Sequence, residues 1–376
     1  MKHVIHIVEN CDDSYGGPSN SIPSLIRGHQ LAGRSGEIYS LSWSDDDLST
    51  MANRLGVKVT RFRCYFKRTL NISFELISNL WSIRRSRPIF HVHNLWNAVT
   101  YGVYILTRLT EIDYVVSPRG SLFPWSISQG NIRKKFAWFL FQKSMLNKAN
   151  FVHVTSEDEK KALQSLGIIA PIVIVPNGMP IEDPGEILVS KNTNEIRALF
   201  LSRLHPKKGL DILFEAWKKF LINNPKAILT LVGSGEASYV SKLKHTLKEL
   251  KIADSVKFIG HVDNPILISN FYKNNDIFIL PSFSENFGMS ILESLMFGCP
   301  VIVSKNTPWE DVVSYRCGWW VDLSADEVLK ALKKFSQMDV NSRLEMRKQS
   351  LKLAANFDLT QVGKDTNLAY KKFCSY

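Results

Sequence analysis

Asp276-Ile-Phe-Ile-Leu280-Pro281-Ser-Phe-Ser-Glu285-Asn-Phe-Gly-Met-Ser-Ile-Leu-Glu293-Ser-Leu-Met-Phe-Gly298-Cys-Pro300 decides how this chain folds. The short apolar run to Leu280 is bounded by polar residues and reads as a buried parallel strand. A polar loop follows. Met289 to Phe297 then carries apolar side chains at helical spacing, and Gly298 with Pro300 supplies the stop. Glu285 therefore sits in a strand-to-helix loop and Glu293 within the helix behind it. Eight positions on an ideal helix rotate by roughly 80° net, so both carboxylates can face one cleft.

The same alternation runs upstream and downstream of this stretch. Ile196–Arg203, Ala227–Gly233, Ser255–Gly260, Pro300–Ser304 and Gly318–Val321 read as further strands. After the loop Leu204-His-Pro-Lys207-Lys208-Gly209, a helix carries Leu210, Leu213, Phe214, Trp217, Phe220 and Leu221 on one face. Arg203 and Lys208 thus flank a strand end and a helix start. A bidentate guanidinium beside a helix N-terminus makes an anion site, although basic residues are also ordinary in an exposed loop. Gly233-Ser-Gly235 permits close approach of a ligand to the backbone but lacks the third glycine of a dinucleotide fingerprint.

The first half repeats the pattern. His3–Val8, Glu37–Ser42, Val57–Phe62, Ile89–His93, Tyr114–Ser117, Phe151–Thr155 and Ile172–Val175 read as strands, with helical segments between several of them. This argues for a second parallel α/β sheet. Gly16-Gly17 lies between the first strand and a helix running through Leu31, a layout that presents backbone N–H groups to a phosphate and equally serves as a plain turn. The turn cluster Pro176-Asn177-Gly178-Met-Pro180 and the polar run 184–194 mark a domain junction. The expected domains are 1–180 and 181–357, with a helix at 358–376 crossing back onto the first.

Length and composition agree. A chain of 376 residues, 45% hydrophobic and 22% charged, fits two soluble globular domains. The five cysteines are scattered without Cys-x-x-Cys spacing, which suggests a reducing compartment. The N-terminus reads as a first strand rather than a signal peptide, and no apolar stretch is long enough to span a bilayer. The net charge of +12 is uneven. Between Leu48 and Ser156 stand 16 Lys/Arg against three acids (Glu75, Glu111, Asp113), leaving 31 against 32 elsewhere. That half therefore suits an anionic partner: nucleic acid, a membrane surface or a phosphorylated substrate.

Four further features bear on chemistry. Asp45-Asp-Asp47 imitates an Asp-x-Asp metal site but sits among turn residues. His91 and His93 share one face of a strand end, where ligand crevices form, and no third ligand is evident nearby for a metal. Ser117-Pro-Arg119-Gly120-Ser121 closes the next strand. Arg133, Lys134 and Lys135 precede Phe136, Trp138, Phe139 and Phe141, a pattern that fits a membrane interface or a core helix with a basic first turn.

Ser202-Arg203 with Lys208, Gly233-Ser-Gly235 and Glu285-x7-Glu293 with Asn286-Phe-Gly-Met together resemble the GT4 family of retaining glycosyltransferases. The resemblance covers most of residues 196–304 and extends more loosely to Gly16-Gly17, Pro176-Asn-Gly178 and the terminal helices. Ser117-Pro-Arg-Gly-Ser-Leu-Phe-Pro-Trp125 is similar to bacterial enzymes of surface polysaccharide and lipopolysaccharide assembly. The implied fold is GT-B, two Rossmann-like domains facing each other across a cleft. The implied roles follow position by position. Arg203 and Lys208 would bind the donor diphosphate and stabilise the leaving group, and Glu285 would contact the donor sugar. Asn286 would belong to the donor site, with the backbone at Phe287, Gly288 and Met289 meeting the distal phosphate. Glu293 would hold the ribose hydroxyls. Gly233 and Val262 of the Gly260-His-Val262 turn would lie near the base. Gly16 and Gly17 would approach the diphosphate from the other domain, and His93 and Arg119 would stand on the acceptor side.

Breaking a glycosyl phosphate leaves an anionic diphosphate that needs a cation, either a metal or Arg/Lys with helix dipoles. This sequence offers the second solution, so neither metal nor cofactor is expected. The resemblance implies a same-face reaction in which the leaving phosphate helps deprotonate the acceptor; double displacement would instead make Glu285 a nucleophile. Many members carry a histidine where this chain has Arg119, and a guanidinium cannot act as a base.

The expected activity is transfer of a hexose-type sugar from a nucleoside-diphosphate donor to a polyprenyl-diphosphate-linked surface glycan (O-antigen, lipopolysaccharide or capsule). The enzyme would lie at the cytoplasmic face of the plasma membrane, held by its basic half, without nucleic acid as a partner. The alternatives are a related enzyme acting on a soluble acceptor, a nucleic-acid-binding α/β protein and a nucleotide-binding oxidoreductase. The second lacks a recognised nucleic-acid motif for its basic residues, and the third lacks a third glycine and a ribose acid.

Overall fold

The computed structural model describes residues 1–12, 17–42, 50–65, 71–123, 138–181, 185 and 195–375. Gly16, Asp45–Asp47, Pro124–Trp125, the basic run 131–137 and nearly all of the polar run 182–194 lie outside the described residues, as does the side chain of Phe139.

The described strands form two sheets, all of whose pairings are parallel. The first contains β1 (Val4–Val8), β2 (Gly36–Ser42), β3 (Val59–Arg63), β4 (Ile89–His93), β5 (Tyr114–Ser117), β6 (Phe151–Val154) and β7 (Ile172–Ile174), in the order β3-β2-β1-β4-β5-β6-β7. The second contains β8 (Arg197–Leu201), β9 (Ile228–Val232), β10 (Val256–Gly260), β11 (Ile277–Leu280), β12 (Val301–Ser304) and β13 (Gly318–Val321), in the order β10-β9-β8-β11-β12-β13. Each order reverses once, between β1 and β4 and between β8 and β11. Those are the switch points where open α/β sheets bind ligands, beyond the carboxyl ends of the strands. The architecture is two Rossmann-like sheets, as the alternation of apolar runs and helical segments implied.

The chain divides into two compact units, Met1–Pro180 with Phe357–Tyr376, and Ile181–Asn356. Central strands are buried on both faces because helices cover each side; β1, β4, β11 and β12 are buried along their whole length. The helix Leu210–Leu221 presents Leu210, Leu213, Phe214, Trp217 and Phe220 to the second core, at the spacing its sequence carries.

In the first unit, helix Gly17–Leu31 packs on helix Leu359–Phe373 through a backbone crossing at Gly28 and Gly363. A Cβ on Gly363 would lie 2.0 Å from the Gly28 carbonyl oxygen, so no larger residue fits without separating the helices. Arg34 Nε donates to Asn367 Oδ1 at 2.8 Å and closes the same contact. This docking carries Tyr370 into the first core. All five cysteines are buried. Among the described residues, no helix is long and apolar enough to cross a membrane.

Candidate functional site

In the second unit, the loops after β8 and β11 are stitched together. His205 Nδ1 accepts from the Lys207 N–H at 3.1 Å and caps the turn Pro206–Lys208. Gly209 follows at φ +70°, and a Cβ there would fall 2.0 Å from the Pro281 carbonyl oxygen. The loop thus closes onto the residue that ends β11. The Phe283 N–H donates to the Lys207 carbonyl at 2.8 Å and locks the approach.

The consequence is an ion pair between residues 77 positions apart. Lys208 Nζ lies 2.6 Å from Glu285 Oε1, with side chains only 14% and 11% exposed. Ser282 Oγ donates to the same carboxylate oxygen at 2.7 Å, and the Glu285 N–H donates to the Asn306 carbonyl at 3.1 Å. Burial alone would push the Glu285 carboxyl up. The Lys208 charge and hydrogen bond, the Ser282 hydroxyl and Lys207 outweigh it and hold the group below the usual carboxylate range. Glu285 is therefore ionised at neutral pH: an acceptor for hydroxyl groups, not a general acid. Burial lowers the neighbouring Lys207 ammonium; Glu285 opposes the shift, and Lys208 and Arg203 add to it.

Behind Glu285, Gly288 at φ +87° precedes the helix Met289–Met296. The buried Trp309 donates its indole N–H to the Phe287 carbonyl and packs edge-on against the Phe287 ring, fixing the helix entry. Glu293 lies one turn further in. Tyr272, fully buried, donates its hydroxyl to Glu293 Oε2 at 3.0 Å. Burial, and then Glu293 itself, raise the Tyr272 phenol far above its ordinary value, so it remains a donor.

The other residues singled out from sequence fall as follows. Arg203 is exposed at the end of β8, with no hydrogen bond or ion pair recorded for its side chain among the described residues. The Gly233 N–H donates to the Gly260 carbonyl at 2.7 Å, joining the ends of β9 and β10 just before the half-buried Val262. Gly17 is exposed at the start of its helix, and among the described residues nothing lies within 4 Å of where its Cβ would stand. Lys208 and Glu285 are thus brought into contact, whereas Glu293 is paired with Tyr272 instead. Lys208 is already paired, so a ligand has to share or displace Glu285.

In the first unit, His91 and His93 are both fully buried at the end of β4, with rings 4.4 Å apart. The sequence shows no third ligand near these two, but the fold brings one candidate beside them. His6 of β1 places a ring nitrogen within 4.8 Å of both, a separation that sequence distance concealed. The donor set nevertheless fits a metal poorly. Both ring nitrogens of His6 and of His91 are hydrogen-bonded to protein, as are both of His93, so none is left to bind an ion. Arg119, at φ +51° after β5, donates from Nε to His93 Nδ1 at 3.1 Å. Its Nη1 donates to Ser21 Oγ at 2.9 Å and to Asn177 Oδ1 at 3.3 Å. Burial lowers its pKa to about 10, which still leaves it cationic at neutral pH.

Sequence reading missed Ser282, Tyr272, Trp309, His6 and His29. Ser282 stood three residues from Glu285 and was visible as a local hydroxyl; the others announce themselves only through contacts distant in sequence.

Comparison with known proteins bears on both units. Residues 16–178 match the family model described as glycosyl transferase 4-like domain, and residues 189–353 match glycosyl transferases group 1. A UDP-Gal:alpha-D-GlcNAc-diphosphoundecaprenol alpha-1,3-galactosyltransferase of Escherichia coli is 24% identical over 265 residues, 65% of this chain and 66% of that protein. D-inositol 3-phosphate glycosyltransferase 2 of Catenulispora acidiphila is 32% identical over 114 residues, 28% of this chain and 26% of that protein. The chain thus spans between about a quarter and two thirds of these relatives. HepE of Anabaena, solved with UDP and glucose, superposes with a TM-score of 0.78 at 18% identity, covering 99% of this chain and 100% of that one, and shares the fold.

Proposed function

We propose that this chain, which belongs to the GT4 family of GT-B glycosyltransferases, transfers a hexose-type sugar from a nucleoside diphosphate to a lipid-linked surface glycan with retention and without a metal. The observation that carries the reading is the partly buried Lys208–Glu285 pair beside the Gly288-opened helix at the β8/β11 switch point. In this reading the donor diphosphate draws Lys208, with Arg203 and the N-terminus of the helix Met289–Met296 as further positive partners. Glu285, released from part of its pairing, accepts hydrogen bonds from sugar hydroxyls. Electrostatic stabilisation of the departing diphosphate then supplies the main catalytic term. Glu293, oriented by Tyr272, receives the ribose hydroxyls. His93 and Arg119 stand on the acceptor side.

A membrane-bound acceptor is supported by the surface of the first unit. On helix Ala98–Thr110, Tyr101, Ile105 and Leu109 form an exposed apolar stripe at helical spacing. Leu140 and, on helix Phe74–Ile83, Phe74 and Trp81 are also exposed. Arg84, Arg85, Arg87 and Arg108 accompany them. Apolar side chains with arginines suit an anionic bilayer surface. The named Escherichia coli relative acts on a diphosphoundecaprenol substrate. The inositol-phosphate relative supports the second reading, a soluble acceptor on the same donor site.

A thermal-shift panel tests the donor assignment. One uridine or guanosine diphosphate sugar is expected to raise the melting temperature, because a ligand that binds only the native state stabilises it. Stabilisation by NAD with none from any nucleoside diphosphate refutes the proposal.

A further inference from the structure

We propose, resting on the acceptor-side reading of Arg119, that His29, His6 and His93 form a one-way hydrogen-bond relay that fixes the Arg119 guanidinium and leaves its Nη2 amino group as the receptor for an anionic oxygen of the substrate. The three imidazoles are fully buried and joined in series. His29 Nδ1 meets the Arg34 carbonyl at 3.1 Å, His29 Nε2 meets His6 Nε2 at 2.9 Å, His6 Nδ1 meets His93 Nε2 at 2.9 Å, and His93 Nδ1 meets Arg119 Nε at 3.1 Å. Rings of consecutive members lie within 13° of parallel, at 5.1 and 5.2 Å between centroids.

The two ends decide every proton between them. A carbonyl oxygen only accepts, so His29 carries its proton on Nδ1 and accepts at Nε2. His6 must then donate from Nε2 and accept at Nδ1. His93 in turn donates from Nε2 and accepts at Nδ1, where the guanidinium, which only donates, completes the chain. One tautomer per ring satisfies all four bonds, and an added proton on any ring sets two N–H groups against each other. Burial, the largest cause in each case, drives His29 down to about 4 and His6 and His93 well below their ordinary value, so all three are neutral at neutral pH.

The result at Arg119 is a positioned cation that makes no direct ion pair among the described residues, although the Glu159 charge favours its protonated form. Nε and Nη1 are committed, while Nη2 has no hydrogen-bond acceptor among the described residues. The nearby acid Glu159 spends its oxygens on the Gly120 and Thr155 N–H groups, at 2.6 and 3.0 Å. Holding a non-glycine residue at φ +51° is itself costly, and such strain persists only where surrounding contacts over-determine it. The three fixed hydrogen bonds on Nε and Nη1 are those contacts. His29, His6 and His93 are positioning residues: they act on substrate only through Arg119.

The test uses full-length protein with 15N-labelled histidine and arginine, and inorganic pyrophosphate as the anion. Long-range ring spectra at pH 7 are expected to show His29 protonated on Nδ1, and His6 and His93 on Nε2, all neutral. The Arg119 Nε–H signal should exchange slowly and move on addition of pyrophosphate. His6→Gln should speed that exchange and weaken the pyrophosphate response of Arg119 by tenfold or more. A cationic His6 or His93, or a proton on His93 Nδ1, overturns the relay; so does a folded His6→Gln protein with an unchanged Arg119 response. If His6→Gln does not fold, the wild-type tautomers still decide the relay. Expected tautomers in a protein that transfers no sugar would leave the relay standing and remove the functional reading instead.

Discussion

Lowering the pH from 7 to 5 should unfold the first unit before the second. His29 and His153 are buried, and burial, the main cause, brings both from 6.5 to about 4. The unfolded chain therefore binds protons that the folded chain refuses throughout the window from 6.5 down to 4. Stability contributed by neutral burial is present above pH 6.5 and is lost as pH falls toward 4. At pH 5 an unfolded histidine is mostly charged and a folded one with a pKa of about 4 mostly neutral, which costs about 2 kcal/mol each and about 4 kcal/mol for the pair. His6, His91 and His93 shift in the same direction and add to the loss. Against a total of roughly 5–15 kcal/mol for a typical domain, this is a large fraction. The second unit has no comparable cluster among its described residues, and its Asp276, raised chiefly by burial, gains in acid. Hydrogen exchange read by mass spectrometry at pH 7 and 5, with denaturant titrations at each pH, separates the units. Peptides from β1, β4, β5 and β6 should lose protection while those from β8, β11 and β12 keep it. A change below about 1 kcal/mol in the first unit between those pH values would refute the neutral burial of the histidines.

Three further outcomes follow from the same geometry. Activity should survive EDTA, since the positive partners proposed for the diphosphate are side chains and a helix terminus; strict metal dependence would redirect attention to Asp45–Asp47. The protein should sediment with anionic liposomes at low salt and release as salt rises, and Leu109→Asp should weaken the association; indifference to liposomes at low salt would favour the soluble-acceptor reading. Gly209→Ala should destabilise the second unit by at least about 1–2 kcal/mol, because an L side chain resists φ > 0 and its Cβ would collide with the Pro281 carbonyl; a midpoint equal to wild type in denaturant titration would contradict the loop closure.

The sheets were legible because parallel strands covered on both faces must be short unbroken apolar runs, as in Ile277–Leu280 and Val301–Ser304, with amphipathic helices such as Leu210–Leu221 between them. The positions of Lys208 and Glu285 at strand and helix ends were readable for the same reason. Their pairing was not, since it depends on the Phe283–Lys207 backbone bond and on Gly209 closing against Pro281. The histidine relay was hidden more deeply. His91 and His93 signalled a strand end, but His6, His29 and Tyr370 come from β1 and two helices whose packing no local pattern encodes. Tyr272 likewise reads as an ordinary core aromatic until its hydroxyl is seen on Glu293.

The most direct measurement is sugar transfer from the nucleotide sugar identified by thermal shift, comparing wild type with Lys208→Ala and Arg203→Ala. Each variant should keep its fold and lose about 100- to 1000-fold in turnover, the usual cost of removing one preorganised charge from a developing anion. Turnover near wild type in both would contradict the assignment of the leaving diphosphate to the β8/β11 site.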